Sequence, residues 1–150
     1  MIDYESHYAR TLLAIAGRRD GIDAVRCGLV FAQLGKAARV RGRLHDILGR
    51  HHLSGLQFAA LVVLFETEPE PMQMAVLAEH TAVSRSAMTD ALDKLETLGF
   101  ASRTRNRGDR RAIQVRITAA GREKVDQAIN DYLALLNQKP NGAGVAECHL

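Results

Sequence analysis

The chain has too few cysteines to be stapled by them. Cys27 and Cys148 are the only two in 150 residues, which excludes a disulfide framework and fits a reducing, cytoplasmic compartment. Long apolar runs are missing as well. The longest, Phe58 to Phe65, has eight residues, where a membrane helix needs about 20, so no membrane partner is expected. The segment Met1 to Arg10 contains acids and no apolar core, unlike a secretion signal. There is no tryptophan, aromatics make up only 5%, and no internal repeat is visible. No nucleophile–base pair, glycine-rich phosphate loop or metal-ligand spacing appears, so neither an enzyme nor a bound cofactor is expected.

What is present is an ordinary globular composition, 47% hydrophobic and 25% charged, in a length that suits one domain or one intertwined unit. The net charge of +3 is too small to establish a nucleic-acid partner; its distribution says more. Arg103, Arg105, Arg107, Arg110 and Arg111 stand against a single acid, Asp109, between Ala101 and Arg111. Clustered positive charge of this kind is the electrostatic footprint of a phosphate binder.

Periodicity places the elements. Tyr8, Leu12, Ile15 and Ala16 share a helical face, predicting a short helix over 3–17. Apolar positions from Ile22 to about Leu48 keep helical spacing over many turns. A helix that long in a small protein has a partner other than its own core. Ser54 and Gln57 form a capping box, with Leu53 and Phe58 as its hydrophobic staple. The helix they open is apolar nearly all round and should be the most buried; Glu68-Pro69-Glu70-Pro71 ends it.

A short helix is expected over Met72–His80, with Met74, Leu77 and Ala78 inward. A tight connection at Thr81-Ala82-Val83 follows, and then Ser84 as the cap of a second helix. Two short helices joined this closely are a helix-turn-helix signature. In the second helix Met88, Ala91, Leu92, Leu95 and Leu98 form the stripe expected to be buried. Arg85, Ser86, Thr89, Asp90 and Asp93 remain on the open face. Gly99 ends it. Ala101–Arg105 and the alternating Ile113, Val115 and Ile117 are strands flanking the turn Asn106-Arg107-Gly108-Asp109. Thr118 caps a last helix with the apolar stripe Val125, Ile129, Tyr132, Leu133 and Leu136, and a Gly/Pro-containing tail is expected to be disordered.

Several of these pieces together resemble the MarR family of bacterial transcription regulators. They are Leu53-Ser54-x-x-Gln57, Ser84-Arg85-Ser86-Ala87-Met88-Thr89, Leu95-Glu96-x-Leu98-Gly99-Phe100 with Arg103, and Asp109-Arg110-Arg111 followed by Val115-x-Ile117-Thr118-x-x-Gly121. The resemblance covers about residues 50–125. It implies a mainly α fold with a small β-hairpin wing, a winged helix-turn-helix flanked by N- and C-terminal dimerisation helices. The corresponding division is 1–52 for the N-terminal dimerisation helices and 53–118 for the DNA-binding region. A C-terminal dimerisation helix follows at 119–138 and a flexible tail at 139–150. It also implies a homodimer, usually a repressor, on a pseudo-palindromic operator in double-stranded DNA. Many relatives are released by small phenolic or carboxylate effectors bound in a crevice between the dimer helices and the winged helix.

The open face of the recognition helix 84–98, with Ser84, Arg85, Ser86, Thr89 and Asp90, and the wing 103–111, with Arg103, Arg105, Arg107 and Arg110, are the expected DNA contacts. Short polar side chains and a helix N-terminus suit close approach to phosphates and base edges, and clustered guanidinium groups suit the backbone and minor groove. Asp109 and Arg111 are expected to hold the hairpin by charge-assisted hydrogen bonds. Two departures stand out. Relatives often have a basic residue where this chain has Asp90, which either accepts from a cytosine amino group or holds a neighbouring arginine. Relatives also have a further C-terminal helix, where this chain has only its tail. Arg41 and His45, one helical turn apart, are expected to meet an effector carboxylate, the histidine adding pH sensitivity. Cys27 admits a peroxide-sensing reading, as in the OhrR-like branch. Tyr4 and Tyr8 lie well before it, however, and it reads better as a small buried residue. His45, His51 and His52 admit a zinc-sensing reading but lack a cysteine or carboxylate at ligand spacing. The rival to DNA binding is a winged helix used for protein assembly, favoured by Asp90, Asp93 and Glu96 on the recognition helix.

Overall fold

The computed structural model describes residues 7–105 and 112–138. The expected arginine-rich turn and the expected disorder of the tail lie outside the described residues. The chain divides into two compact units, Met1–Asp46 and Ile47–Leu150, with the boundary inside the long helix.

The first unit contains α1, His7–Ala16, and most of α2, Ala24–Arg50. Asp23 starts α2 by accepting from the Arg26 amide at 3.0 Å, satisfying one of the orphan donors of a helix N-terminus. The stripe predicted on α1 does not become a covered face within one chain. Ala9 is buried, whereas Tyr8 and Leu12 are exposed. On α2, Val25, Leu29, Val30, Leu34 and Val40 are all exposed, Val25 to 76%.

The second unit holds α3, Gly55–Thr67; β1, Met72–Gln73; α4, Met74–His80; α5, Arg85–Thr97; β2, Ala101–Arg105; β3, Ile113–Ile117; and α6, Ala119–Leu136. The capping box of α3 forms as predicted: Ser54 Oγ accepts from the Gln57 amide and Gln57 Oε1 from the Ser54 amide. Ala60, Leu61 and Leu64 of α3 are buried and join Leu77, Met88, Leu92, Leu95, Val115 and Val125 in one core. Each of these residues removes roughly 1–3 kcal/mol worth of apolar surface from water. The cluster therefore fixes how α5 and the sheet are held. Phe58 stacks on Tyr132 at 4.9 Å, which joins α3 to α6.

The sheet is larger than a hairpin. Its order is β1-β3-β2: β2 pairs antiparallel with β3 in the register Arg103↔Val115, and β1 pairs with the other edge of β3 at Met72↔Val115. Met72 and Gln73, expected to be helical, instead form this third strand. Met72 directly follows Pro71, and a two-residue strand has no periodicity to announce it. Leu98, expected in the buried stripe of α5, is 44% exposed, because the helix has reached its C-cap there. Leu133 and Leu136 of the α6 stripe are likewise exposed, while Ala128 and Leu135 are buried.

Candidate nucleic-acid interface

α4 and α5 meet across Thr81-Ala82-Val83. The turn is closed by bonds from the Thr81 amide to Leu77 O and from the Val83 amide to Ala78 O, at 3.1 and 3.0 Å. Ala82 takes a left-handed conformation, φ 55°, which L-residues other than glycine rarely adopt. Ser84 caps α5 by accepting from the Ala87 amide at 3.1 Å. The stripe Met88, Ala91, Leu92 and Leu95 is buried, so the opposite face is turned outward.

Ser84, Arg85, Ser86 and Asp90 are exposed there. Thr89 is not fully open as predicted. It is half-buried, its hydroxyl donates to Arg85 O at 2.9 Å and it sits 3.7 Å from Met74 Sδ. Among the described residues neither the Arg85 guanidinium nor the Asp90 carboxylate has a hydrogen-bond or ion-pair partner. Asp90 therefore does not hold a described arginine.

Arg103 behaves differently from Arg105, the other described wing arginine. Its Nε donates to Glu96 Oε2 at 2.9 Å, and its Nη2 reaches Glu96 Oε2 at 2.6 Å and Asp93 Oδ1 at 2.5 Å. Its backbone amide also donates to Glu96 Oε1, at 2.7 Å. The guanidinium hydrogen bond holds the Glu96 carboxyl below its usual range, and burial opposes the shift only in part. The same bond raises Arg103. Arg103 was expected among the DNA contacts; its side chain is instead only 22% exposed and engaged by two carboxylates. Asp93 and Glu96 thus share a cation of their own chain, which weakens the support that two of the three acids lent to the protein-assembly reading.

The Glu96–Arg103 pair has a signal in the sequence. Both acids lie in the last part of α5, where the helix dipole disfavours negative charge, so two of them there call for a cation. Arg105 is exposed at the end of β2. Arg107, Asp109, Arg110 and Arg111 lie outside the described residues. Arg116, not singled out from sequence, donates to Pro69 O at 2.7 Å, tying β3 to the turn before β1.

The remaining candidates separate. Arg41 and His45 are both exposed on α2. Cys27 is a free thiol and half-buried rather than buried. His51 does have a carboxylate, one that spacing could not reveal: its Nε2 lies 2.7 Å from Asp131 Oδ2 on α6. Among the described residues no three His, Cys, Asp or Glu side chains are placed to hold a metal, and no single helix is long and apolar enough to cross a membrane.

A sequence model of the MarR family matches residues 54–112, the span from the α3 cap to the residue before β3. The chain is also 35% identical to the transcriptional regulator BldR from Sulfolobus solfataricus, with a TM-score of 0.58 over 72% of this chain and 76% of that one. The chain belongs to the MarR family. Among curated relatives it is 36% identical over 94 residues to the HTH-type transcriptional regulator YpoP of Bacillus subtilis, covering 62% of this chain and 63% of that one. It is also similar to the transcriptional repressor CouR bound to a 23-mer DNA duplex, at 25% identity and a TM-score of 0.61 over 71% and 72% of the two chains. The chain spans about half the length of several curated relatives it matches. The family and the fold are those of transcription regulators, not of enzymes.

Proposed function

We propose that this MarR-family chain acts as a homodimeric transcription repressor on a pseudo-palindromic site in double-stranded DNA. The observation that carries the reading is the outward face of α5. The buried stripe points Arg85, Ser86 and Asp90 to solvent at the start of the helix, where amide groups and short side chains suit phosphates and base edges. The wing arginines Arg105, Arg107 and Arg110 are proposed to contact the DNA backbone and minor groove, where narrow regions attract guanidinium groups.

A second copy of the chain is the proposed cover for the exposed apolar residues of α2 and, separately, for Leu133 and Leu136 of α6, since several exposed apolar side chains on one helix mark an interaction site. Two α5 helices about 34–36 Å apart would enter successive major grooves. A small phenolic or carboxylate effector, met by Arg41 and His45, is the proposed releasing signal. The test is a salt series with Arg105→Ala and Arg110→Ala. Each should weaken binding to all sequences and reduce the log–log salt slope by about 0.9 for one lost phosphate contact. Unchanged affinity and slope in both variants would refute the wing assignment.

A further inference from the structure

The bonds around Arg103 join the two parts that the proposed function places on DNA. Glu96 stands on the last turn of α5 and Arg103 at the centre of β2, across the corner at Gly99. One Glu96 oxygen takes the Arg103 backbone amide and the other takes its guanidinium, so both the strand and its side chain are located relative to the helix. Asp93, one turn earlier on α5, takes Nη2 as well. From the far side, Val115 pairs with Arg103 in the sheet and is itself buried in the core. Charge-assisted hydrogen bonds of this kind are short and directional. The planar guanidinium fork adds an orientation that a lysine does not supply.

We infer that Arg103, Glu96 and Asp93 form a clamp that fixes the wing against the recognition helix, making Arg103 a positioning residue and not a DNA contact. The inference rests on the DNA-binding reading. It has a consequence that a DNA-contacting arginine would not share. Removing the cation and removing its carboxylate both break the clamp, so both lower discrimination between a cognate and a scrambled duplex. A direct phosphate contact separates the two changes: losing the arginine weakens every duplex, whereas losing the acid strengthens binding by relieving repulsion and freeing a cation.

The experiment uses the full chain, the duplex it selects from a random pool, and a scrambled duplex, titrated over a salt series. Arg103→Gln and Glu96→Gln should each reduce the cognate-to-scrambled affinity ratio by about tenfold or more, a geometric loss comparable to one mismatched base pair. Scrambled-duplex affinity and salt slope in Arg103→Gln should stay near those of the wild type. Arg103→Lys, which keeps the charge and loses the fork, should behave like Arg103→Gln; it also serves if Arg103→Gln does not fold. If the arginine variant weakens both duplexes and lowers the slope by about 0.9 while Glu96→Gln tightens binding, the clamp is overturned. A wild-type chain that selects no duplex overturns the DNA reading, and the clamp with it.

Discussion

Gly121, at the start of α6, lies directly against the backbone of Phe100, just beyond the recognition helix. A Cβ on Gly121 would stand 2.8 Å from the Phe100 carbonyl carbon and closer still to its oxygen. The same corner is held by Thr118, whose amide donates to Phe100 O and whose hydroxyl donates to Gly99 O at 2.6 Å while accepting from the Gly121 amide. The end of α5 and the beginning of α6 are thus one joint, although Gly99 and Gly121 are far apart in sequence.

Gly121→Ala should therefore destabilise the fold by about 1–3 kcal/mol, the usual cost of overpacking, and Gly121→Val by more. The neighbour is backbone and cannot rotate away. The denaturant midpoint measures this. A Gly121→Ala protein as stable as wild type would show that the close approach is not present in solution.

Ser54→Ala should cost about 1 kcal/mol, because it leaves the Gln57 amide without its cap at the N-terminus of the most apolar helix. Thermal unfolding is the check, and an unchanged transition temperature would mean the box contributes nothing.

Acid should weaken the clamp. The Glu96 carboxyl is held below the usual carboxylate range by the Arg103 guanidinium. Its pairing therefore adds stability above the unfolded-chain glutamate value of about 4.3. That contribution is lost as pH falls through the lower folded value. The stability difference between wild type and Glu96→Gln should be largest near neutrality and shrink toward pH 3. A difference that stays constant or grows with acid contradicts the ion-pair account.

Asp90 should make the protein selective for cytosine. A carboxylate with no partner among the described residues, placed in the major groove, needs a base-edge donor. Cytosine itself offers only the N4 donor in that groove, whereas adenine places its own N7 acceptor next to its N6 amino group. Asp90→Ala should relax the preference at one symmetric position in each half-site. The effect should be about 1–3 kcal/mol per half-site, read by comparing selected sequences for the two proteins. Identical consensus sequences would exclude a base-reading role.

Local chemistry was legible in the sequence wherever one segment carried its own answer. The Ser54–Gln57 box, the Ser84 and Thr118 caps and the strand that carries Ile113, Val115 and Ile117 all reappear in the structure. Meetings between distant segments were not legible. The pairing of Met72 with Val115, of His51 with Asp131 and of Arg103 with Glu96 depends on how α3, α5 and the sheet share one core. Periodicity also marks apolar faces without saying what covers them. Leu133 and Leu136 fall on the predicted stripe of α6, yet a single chain leaves them exposed. Charge counting cannot tell one wing arginine from another, yet of the two described, Arg103 and Arg105, it is Arg103 that lies beside two acids.

Selection from a pool of random duplexes by the purified full chain tests the central claim most directly. The account predicts enrichment of a two-fold-symmetric sequence whose half-sites lie about one helical turn, 10–10.5 base pairs, apart. A pool that remains random after repeated selection at moderate salt would contradict it.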